Sequence, residues 1–228
     1  RVFVIGYGTG VTAGEFAALE SVEDVKVAEI SSGVIEAAPF FDYGNLDASE
    51  DPKVETIRSD AYRALLRSDT DYDVIASEPS NPWVVGVEML FSREFLEAAR
   101  DRLRPGGVYA QWFHIYETNP ATVELVLRTY NEVFDDVAVW YSMGPDLLLL
   151  GFRDDPEIDL ARITERAGRA DFRGGLRRAG VPSLPALLAH ELYPLGSVRE
   201  MELGDDVHTL FPPILSDRAA RAFYQGLN

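Results

Sequence analysis

The chain contains no cysteine. That excludes disulfides, thiolate metal sites and cysteine nucleophiles. Lysine is nearly absent: Lys26 and Lys53 stand alone, and every other basic residue is arginine. With 38 acidic against 21 basic residues, the formal charge is −17. No nucleic-acid partner is expected, because phosphate backbones are bound by basic surfaces. An acidic surface suits steering of a polycationic substrate; a high-GC or salt-adapted source produces the same composition irrespective of function. No apolar run approaches the ~18 residues that a membrane helix needs. Nothing at the N-terminus has the pattern of a signal peptide. The chain begins at Arg1 directly before an apolar run, so a further upstream segment is expected. His114, His190 and His208 are scattered without helical pairing, so no metal site is expected. Neither a Gly-x-Ser-x-Gly elbow nor a phosphate loop ending in Gly-Lys-Ser/Thr occurs.

What is present is an ordinary globular composition, 46% hydrophobic and 11% aromatic over 228 residues. Short apolar runs alternate with helical patterns. Strands are expected at 1–5, 25–30, 53–57, 72–77 and 107–113, with helices between them. Ser31 and Ser32 cap the helix after the second strand, and Ser59 or Asp60 caps the one after the third. The helix over 92–103 meets a stop signal at Pro105-Gly106-Gly107. Asn119-Pro120 opens a helix that runs to Val133. Strands at 137–141 and 147–152 are joined by Met143-Gly144-Pro145-Asp146, a connection so short that they must be antiparallel. This alternation predicts a doubly wound, mostly parallel α/β sheet of seven strands. Beyond Arg153 the pattern becomes helical, at 160–170, 184–192 and 217–227, with no strong strand. Residues 1–152 are therefore expected to form a Rossmann-like cofactor domain, and 153–228 a helical C-terminal extension packed on it.

Gly6, Gly8 and Gly10 lie at a strand–helix junction, where glycine allows a tight turn and close approach of the backbone to a ligand. Glu29 ends the second strand nineteen residues after Gly10, near the ~20 expected of an acid that binds ribose hydroxyls. A dinucleotide fingerprint would place a sixth-position glycine where this chain has Val11. That disfavours NAD and suits a cofactor without pyrophosphate, such as S-adenosylmethionine. A glycine turn that merely packs would account for the loop alone, but not for Glu29. Asp60-Ala61 follows the third strand at the edge where ligands bind in doubly wound sheets. Asp60 can accept from an adenine amino group, act as a helix N-cap, or do both.

Gly6-Tyr7-Gly8-Thr9-Gly10, Ala28-Glu29-Ile30, Ser59-Asp60-Ala61, Tyr72-Asp73-Val74-Ile75 and Gly106-Gly107 leading to Gln111 form an ordered series. The series resembles the spermidine synthases (polyamine aminopropyltransferases), a family with the class I methyltransferase fold. It is most similar to the spermidine-synthase-like domains fused to membrane segments, which carry a stretch like Glu78-Pro79-Ser80-Asn81-Pro82-Trp83. The likeness covers about residues 1–152, with a weaker match near 208–213. It implies transfer of an aminopropyl group from decarboxylated S-adenosylmethionine to an amine such as putrescine. By position, Gly6, Gly8, Thr9, Gly10, Glu29, Asp60 and Ala61 would hold the cofactor, with Glu29 on the ribose and Asp60 on the adenine. Glu78 would hold the attacking amine and remove its proton, since an ammonium has no lone pair. Asn81, Trp83, Gln111 and Tyr141 would line the substrate site. The resemblance further implies a homodimer, in the cytoplasm or as the cytoplasmic part of a membrane-anchored protein.

Three positions depart from that family. Thr9 replaces an aspartate that contacts the amine of the aminopropyl arm, Asn81 replaces the second acid of an Asp-x-x-Asp pair, and Glu78 lengthens the first. Two further readings therefore stand beside aminopropyl transfer: methyl transfer from intact S-adenosylmethionine, and a ligand-sensing domain without turnover. His114, Tyr116 and Glu117 follow the fifth strand at the same edge. His114 is expected to be a partly buried, hydrogen-bonded histidine, with an acid–base role as the alternative.

Overall fold

A computed structural model describes residues 1–116, 118–142 and 144–225. Glu117, Met143 and Leu227, named above as loop or helix-end residues, lie outside the described residues. The chain divides into two compact units, Arg1–Ala64 with Pro156–Glu191, and Leu65–Asp155 with Leu192–Asn228.

In the first unit, β1 (Val2–Ile5), β2 (Val25–Glu29) and β3 (Val54–Arg58) lie in the order β3-β2-β1, all parallel. β1 is buried along its whole length. A strand covered on both faces is apolar throughout rather than alternating, which is why Val-Phe-Val-Ile is legible as a parallel strand. The helices are α1 (Val11–Ala17), α2 (Ser32–Ala37), α3 (Asp42–Asn45) and α4, which begins at Ala61 and ends at Arg67. Ser31 caps α2 as expected, its hydroxyl accepting from the Val34 amide. Three helices of the C-terminal region belong here: α7 (Leu160–Ala167), α8 (Ala170–Arg178) and α9 (Leu184–Leu188). α8 is fastened to α1 by Arg178, whose guanidinium donates to both carboxylate oxygens of Glu15 at 2.5 and 2.7 Å. Beside it, Arg169 pairs with Glu20 at 3.2 Å, and Asp171 accepts from the Glu20 amide.

In the second unit, β4 (Tyr72–Ser77), β5 (Leu103–His114), β6 (Asp136–Tyr141) and β7 (Asp146–Phe152) lie in the order β4-β5-β7-β6. β4 and β5 are parallel, and β7 runs antiparallel to both β5 and β6, as the short 142–145 connection requires. The carboxyl ends of β4, β5 and β6 therefore share one edge. α5 (Arg93–Asp101) and α6 (Pro120–Val133) are capped by Ser92 and Asn119, which accept from the amides of Phe95 and Thr122. α10 (Ile214–Gln225) completes the unit.

Three expectations change. The Pro105-Gly106-Gly107 signal does not end α5, which stops at Asp101. It lies inside β5, where the pairing with β4 jumps from Tyr72↔Leu103 to Val74↔Val108. Gly106 takes φ +74° there, a conformation that lets the strand bulge and resume. A three-residue strand, β8 (Glu191–Tyr193), follows α9 beside β6, within a stretch expected to be helical. α10 begins at Ile214, three residues earlier than the apolar pattern suggested.

Candidate active site

In the first unit the glycine loop leaves the carboxyl end of β1. Tyr7 is buried, and its amide donates to Glu29 Oε2 at 2.8 Å. The other oxygen of Glu29, Oε1, accepts from the Ser31 amide at 2.7 Å. Glu29 is only 6% exposed, so the two bonds fix its carboxylate at the edge of the sheet and tie β1's loop to β2's. Hydrogen bonds to a charged acceptor contribute about 1.5–3 kcal/mol each.

Gly10 has φ +79°, and a Cβ there would come within 2.6 Å of Asn45 Nδ2 and 2.7 Å of Tyr7 Oη. Only glycine fits both the dihedral and the space. Asn45 is buried at the end of α3. Its Nδ2 donates to the Thr9 carbonyl at 2.8 Å, and its Oδ1 accepts from the Ala48 amide at 3.0 Å. The side chain thus props the loop from behind. Asp42, at the start of α3, accepts from both the amide and the hydroxyl of Ser49. Those bonds hold its carboxyl below the usual carboxylate range. Sequence reasoning missed Asn45, whose partner, the Thr9 carbonyl, lies 36 residues away.

Glu29 pairs with Arg58 in the β2–β3 register, so Asp60 stands two residues past the adjacent strand end. Asp60 caps α4, its Oδ1 accepting from the Arg63 amide at 2.9 Å, while Ala61 is buried at the helix start. Gly6, Gly8, Thr9, Gly10, Glu29, Asp60 and Ala61 all fall within this unit, on two adjoining loops and the strand end between them.

In the second unit Glu78 directly follows β4 and is exposed. Pro79 and Pro82 are buried and anchor the loop that carries Asn81 and Trp83. Tyr116 donates weakly to Asn81 Oδ1 at 3.5 Å. The Trp83 ring stacks on Phe223 of α10 with centroids 4.9 Å apart. It also meets His114 edge-on at 4.9 Å. Gln111 is fully buried and engaged at both ends: Nε2 faces Ser77 Oγ and the Leu90 carbonyl, and Oε1 accepts from Tyr130. Tyr141 ends β6, 43% exposed, two strands away from Gln111 at the same edge. Glu78, Asn81 and Trp83 are therefore gathered on one loop, whereas Gln111 bonds to Ser77 and Leu90 on either side of it and Tyr141 stands apart.

His114 corrects an expectation. It is 1% exposed, buried more deeply than expected, and neither ring nitrogen has a hydrogen-bond partner among the described residues. Burial lowers its pKa to about 4, with Asp146 pulling the other way. Tyr116 packs against it at 4.4 Å. His208, by contrast, is a fully bonded hub. Its Nε2 meets the Glu88 carbonyl at 2.9 Å, its Nδ1 accepts from the Leu215 amide, and its own amide donates to Thr129. Because Nδ1 is an acceptor, the hydrogen sits on Nε2.

Glycine-turned loops at parallel strand ends, with an acid closing the next strand, define a Rossmann-like α/β protein of the methyltransferase type. Among solved structures, a spermidine synthase in complex with the transition-state analogue AdoDATO superposes with a TM-score of 0.63 at 22% identity, over 85% of this chain and 66% of that one. That likeness establishes the fold. A sequence model of the spermine/spermidine synthase domain matches residues 1–152. The polyamine aminopropyltransferase of Thermococcus onnurineus is 31% identical over 175 residues, covering 72% of this chain and 61% of its own length. Putrescine N-methyltransferase 2 of Nicotiana attenuata is 32% identical over 174 residues, covering 70% of this chain and 45% of its own length. The chain belongs to the spermine/spermidine synthase family. It spans about three fifths of the length of the curated relatives it matches. Among the described residues no group of histidine and acidic side chains is arranged to hold a metal, and no helix is long and apolar enough to cross a membrane.

Proposed function

We propose that the chain is an aminopropyltransferase that moves the aminopropyl group of decarboxylated S-adenosylmethionine to a small amine such as putrescine. The match of the spermine/spermidine synthase model to residues 1–152 carries this reading, because that span includes both the glycine loop and the loop of Glu78. Glu29 binds the ribose hydroxyls: its two oxygens, already oriented by backbone amides, keep lone pairs for further donors. Asp60 and Ala61 receive the adenine, and Gly6, Gly8, Thr9 and Gly10 let the backbone approach the sulfonium arm.

Glu78 takes a proton from the acceptor ammonium, which frees the nitrogen lone pair. The amine attacks the aminopropyl carbon bonded to the positively charged sulfur. The carbon–sulfur bond breaks with its electrons moving to sulfur, leaving methylthioadenosine as a neutral thioether. Asn81, Trp83, Gln111 and Tyr141 shape the acceptor side, Gln111 indirectly through its bonds to Ser77 and Leu90. Methyl transfer from intact S-adenosylmethionine is the second reading, favoured by one observation: Thr9 is neutral and exposed where the aminopropyl amine would need a carboxylate.

Glu78→Gln tests the assignment. Turnover of putrescine should fall at least about a hundredfold, the lower end for loss of a general base. Affinity for methylthioadenosine should be retained. Undiminished turnover in Glu78→Gln would remove Glu78 from this role.

A further inference from the structure

The helices α7 and α8 of the first unit invert the charge of the chain. From Leu160 to Arg178 they and the joint between them carry six arginines against two acids, in a chain whose formal charge is −17. Arg169 and Arg178 show what a structural arginine looks like here. Carboxylates hold each of them, Glu20 and Asp171 on Arg169 and Glu15 on Arg178. Arg173 and Arg177 differ. They stand four residues apart on α8, hence on one face, and both are exposed. Neither guanidinium has an ion pair or hydrogen bond among the described residues. Holding the fold together does not explain them.

Both open onto a cleft of about 360 Å³ between α7, α8 and the start of α9. That volume lies within the range of small-ligand sites. Leu176, Val181 and Leu184 supply an apolar wall, and none of the described residues that line the cleft is acidic. Thr164 spends its hydroxyl hydrogen on the Leu160 carbonyl. Ser183 Oγ accepts from the Ala186 amide and keeps its hydrogen to donate. The cleft therefore offers two guanidiniums and one hydroxyl beside apolar surface. Arginines at this spacing repel one another, and an anion between them relieves the repulsion. A guanidinium fork engages two oxygens, so a carboxylate is filled by one arginine. A phosphate monoester has three charged oxygens, enough for both. The acidic surface elsewhere repels anions and directs them to this face.

We propose that the cleft between α7, α8 and α9 binds an amphipathic phosphate ester. The phosphate sits on Arg173, Arg177 and Ser183, and the alkyl part lies along Leu176, Val181 and Leu184. The site stands apart from the transfer reaction, because none of these residues belongs to the glycine loop or to the loop of Glu78.

Calorimetry on the full chain compares hexyl phosphate with inorganic phosphate and with hexanol. Hexyl phosphate should bind at least about tenfold tighter than inorganic phosphate, the effect of about two methylenes leaving water. It should exceed hexanol by a similar factor. Arg173→Gln together with Arg177→Gln should weaken hexyl phosphate about tenfold, the loss of two solvated ion pairs. Arg162→Gln together with Arg166→Gln changes the net charge equally but removes exposed arginines that do not line the cleft. Its affinity should stay within about twofold of the unaltered chain. All four side chains are exposed, so Tm should not change in either variant. Equal weakening in the two double variants would reduce the effect to overall charge and overturn the site. So would hexyl phosphate that binds no tighter than hexanol. Vesicles of phosphatidic acid in phosphatidylcholine identify the source of the phosphate. Sedimentation of the chain with them, lost on substitution of Arg173 and Arg177, marks a lipid headgroup. Failure to sediment, with hexyl phosphate binding intact, marks a soluble ester.

Discussion

The two loop systems differ in how their ionisable side chains are bonded. In the first unit Glu29 is bonded by two amides and Asn45 at both ends of its amide, while the Tyr7 hydroxyl is buried without a hydrogen-bond partner among the described residues. In the second unit both ring nitrogens of His114 and Oδ1 of Asp146 are buried with no hydrogen-bond partner among the described residues. A loop that must present its backbone to a ligand has to be held rigid before the ligand arrives. The contrast is thus between a carboxylate and an amide fixed by the surrounding backbone and an imidazole left without partners among the described residues.

The strongest break of this comparison is at Glu29. Glu29→Ala leaves the amides of Tyr7 and Ser31 without an acceptor and should cost about 2–5 kcal/mol of folding stability by chemical denaturation. It should also abolish measurable methylthioadenosine binding. A smaller stability loss, with binding retained, would mean that the loop is not held from this point.

Acid reaches the other side of the comparison. Folded His114 titrates at about 4, below the ~6.5 of an unfolded histidine. The unfolded chain therefore binds a proton first as pH falls. Stability from this group is complete above pH ~6.5 and should decline by roughly 3 kcal/mol as pH approaches 4. His208, also lowered by burial, adds to the loss in the same direction. In His114→Phe the decline between pH 6.5 and pH 4 should be visibly shallower; an identical profile would show that His114 does not titrate as its burial implies.

The smallest expected effect lies outside both loops. The Arg178–Glu15 pair fastens α8 to α1, but the two side chains are 42% and 34% exposed. Arg178→Ala should change stability by only about 0.5–1 kcal/mol, and by less at high salt. A larger loss would mean that α8 contributes more to the first unit than a solvated ion pair supplies.

These features differ in how far sequence reveals them. The strands were legible because buried parallel strands are uniformly apolar, and Glu29 was legible because its distance from Gly10 is set by one helix and one strand. The bulge at 104–107 was not, since Pro-Gly-Gly after a helix reads as a stop whether or not a strand continues through it. Asn45 was invisible because its partner, the Thr9 carbonyl, is 36 residues away. His114 was expected to be only partly buried and hydrogen-bonded; its full burial and missing partners are properties of contacts. The unpaired state depends on β7 bringing Asp146 opposite it and on Trp83 folding over it. Gln111 was expected to face substrate, and its bonds to Ser77, Leu90 and Tyr130 show a side chain already occupied by the protein.

The central claim is that this glycine loop, with its neutral Thr9, receives a decarboxylated adenosyl sulfonium. Calorimetric titration of the chain with S-adenosylmethionine, its decarboxylated form and methylthioadenosine tests that claim directly. The account predicts that the decarboxylated form binds tighter than the intact one. Tighter binding of intact S-adenosylmethionine would contradict aminopropyl transfer in favour of methyl transfer, and no binding of any of the three at millimolar concentration would contradict both.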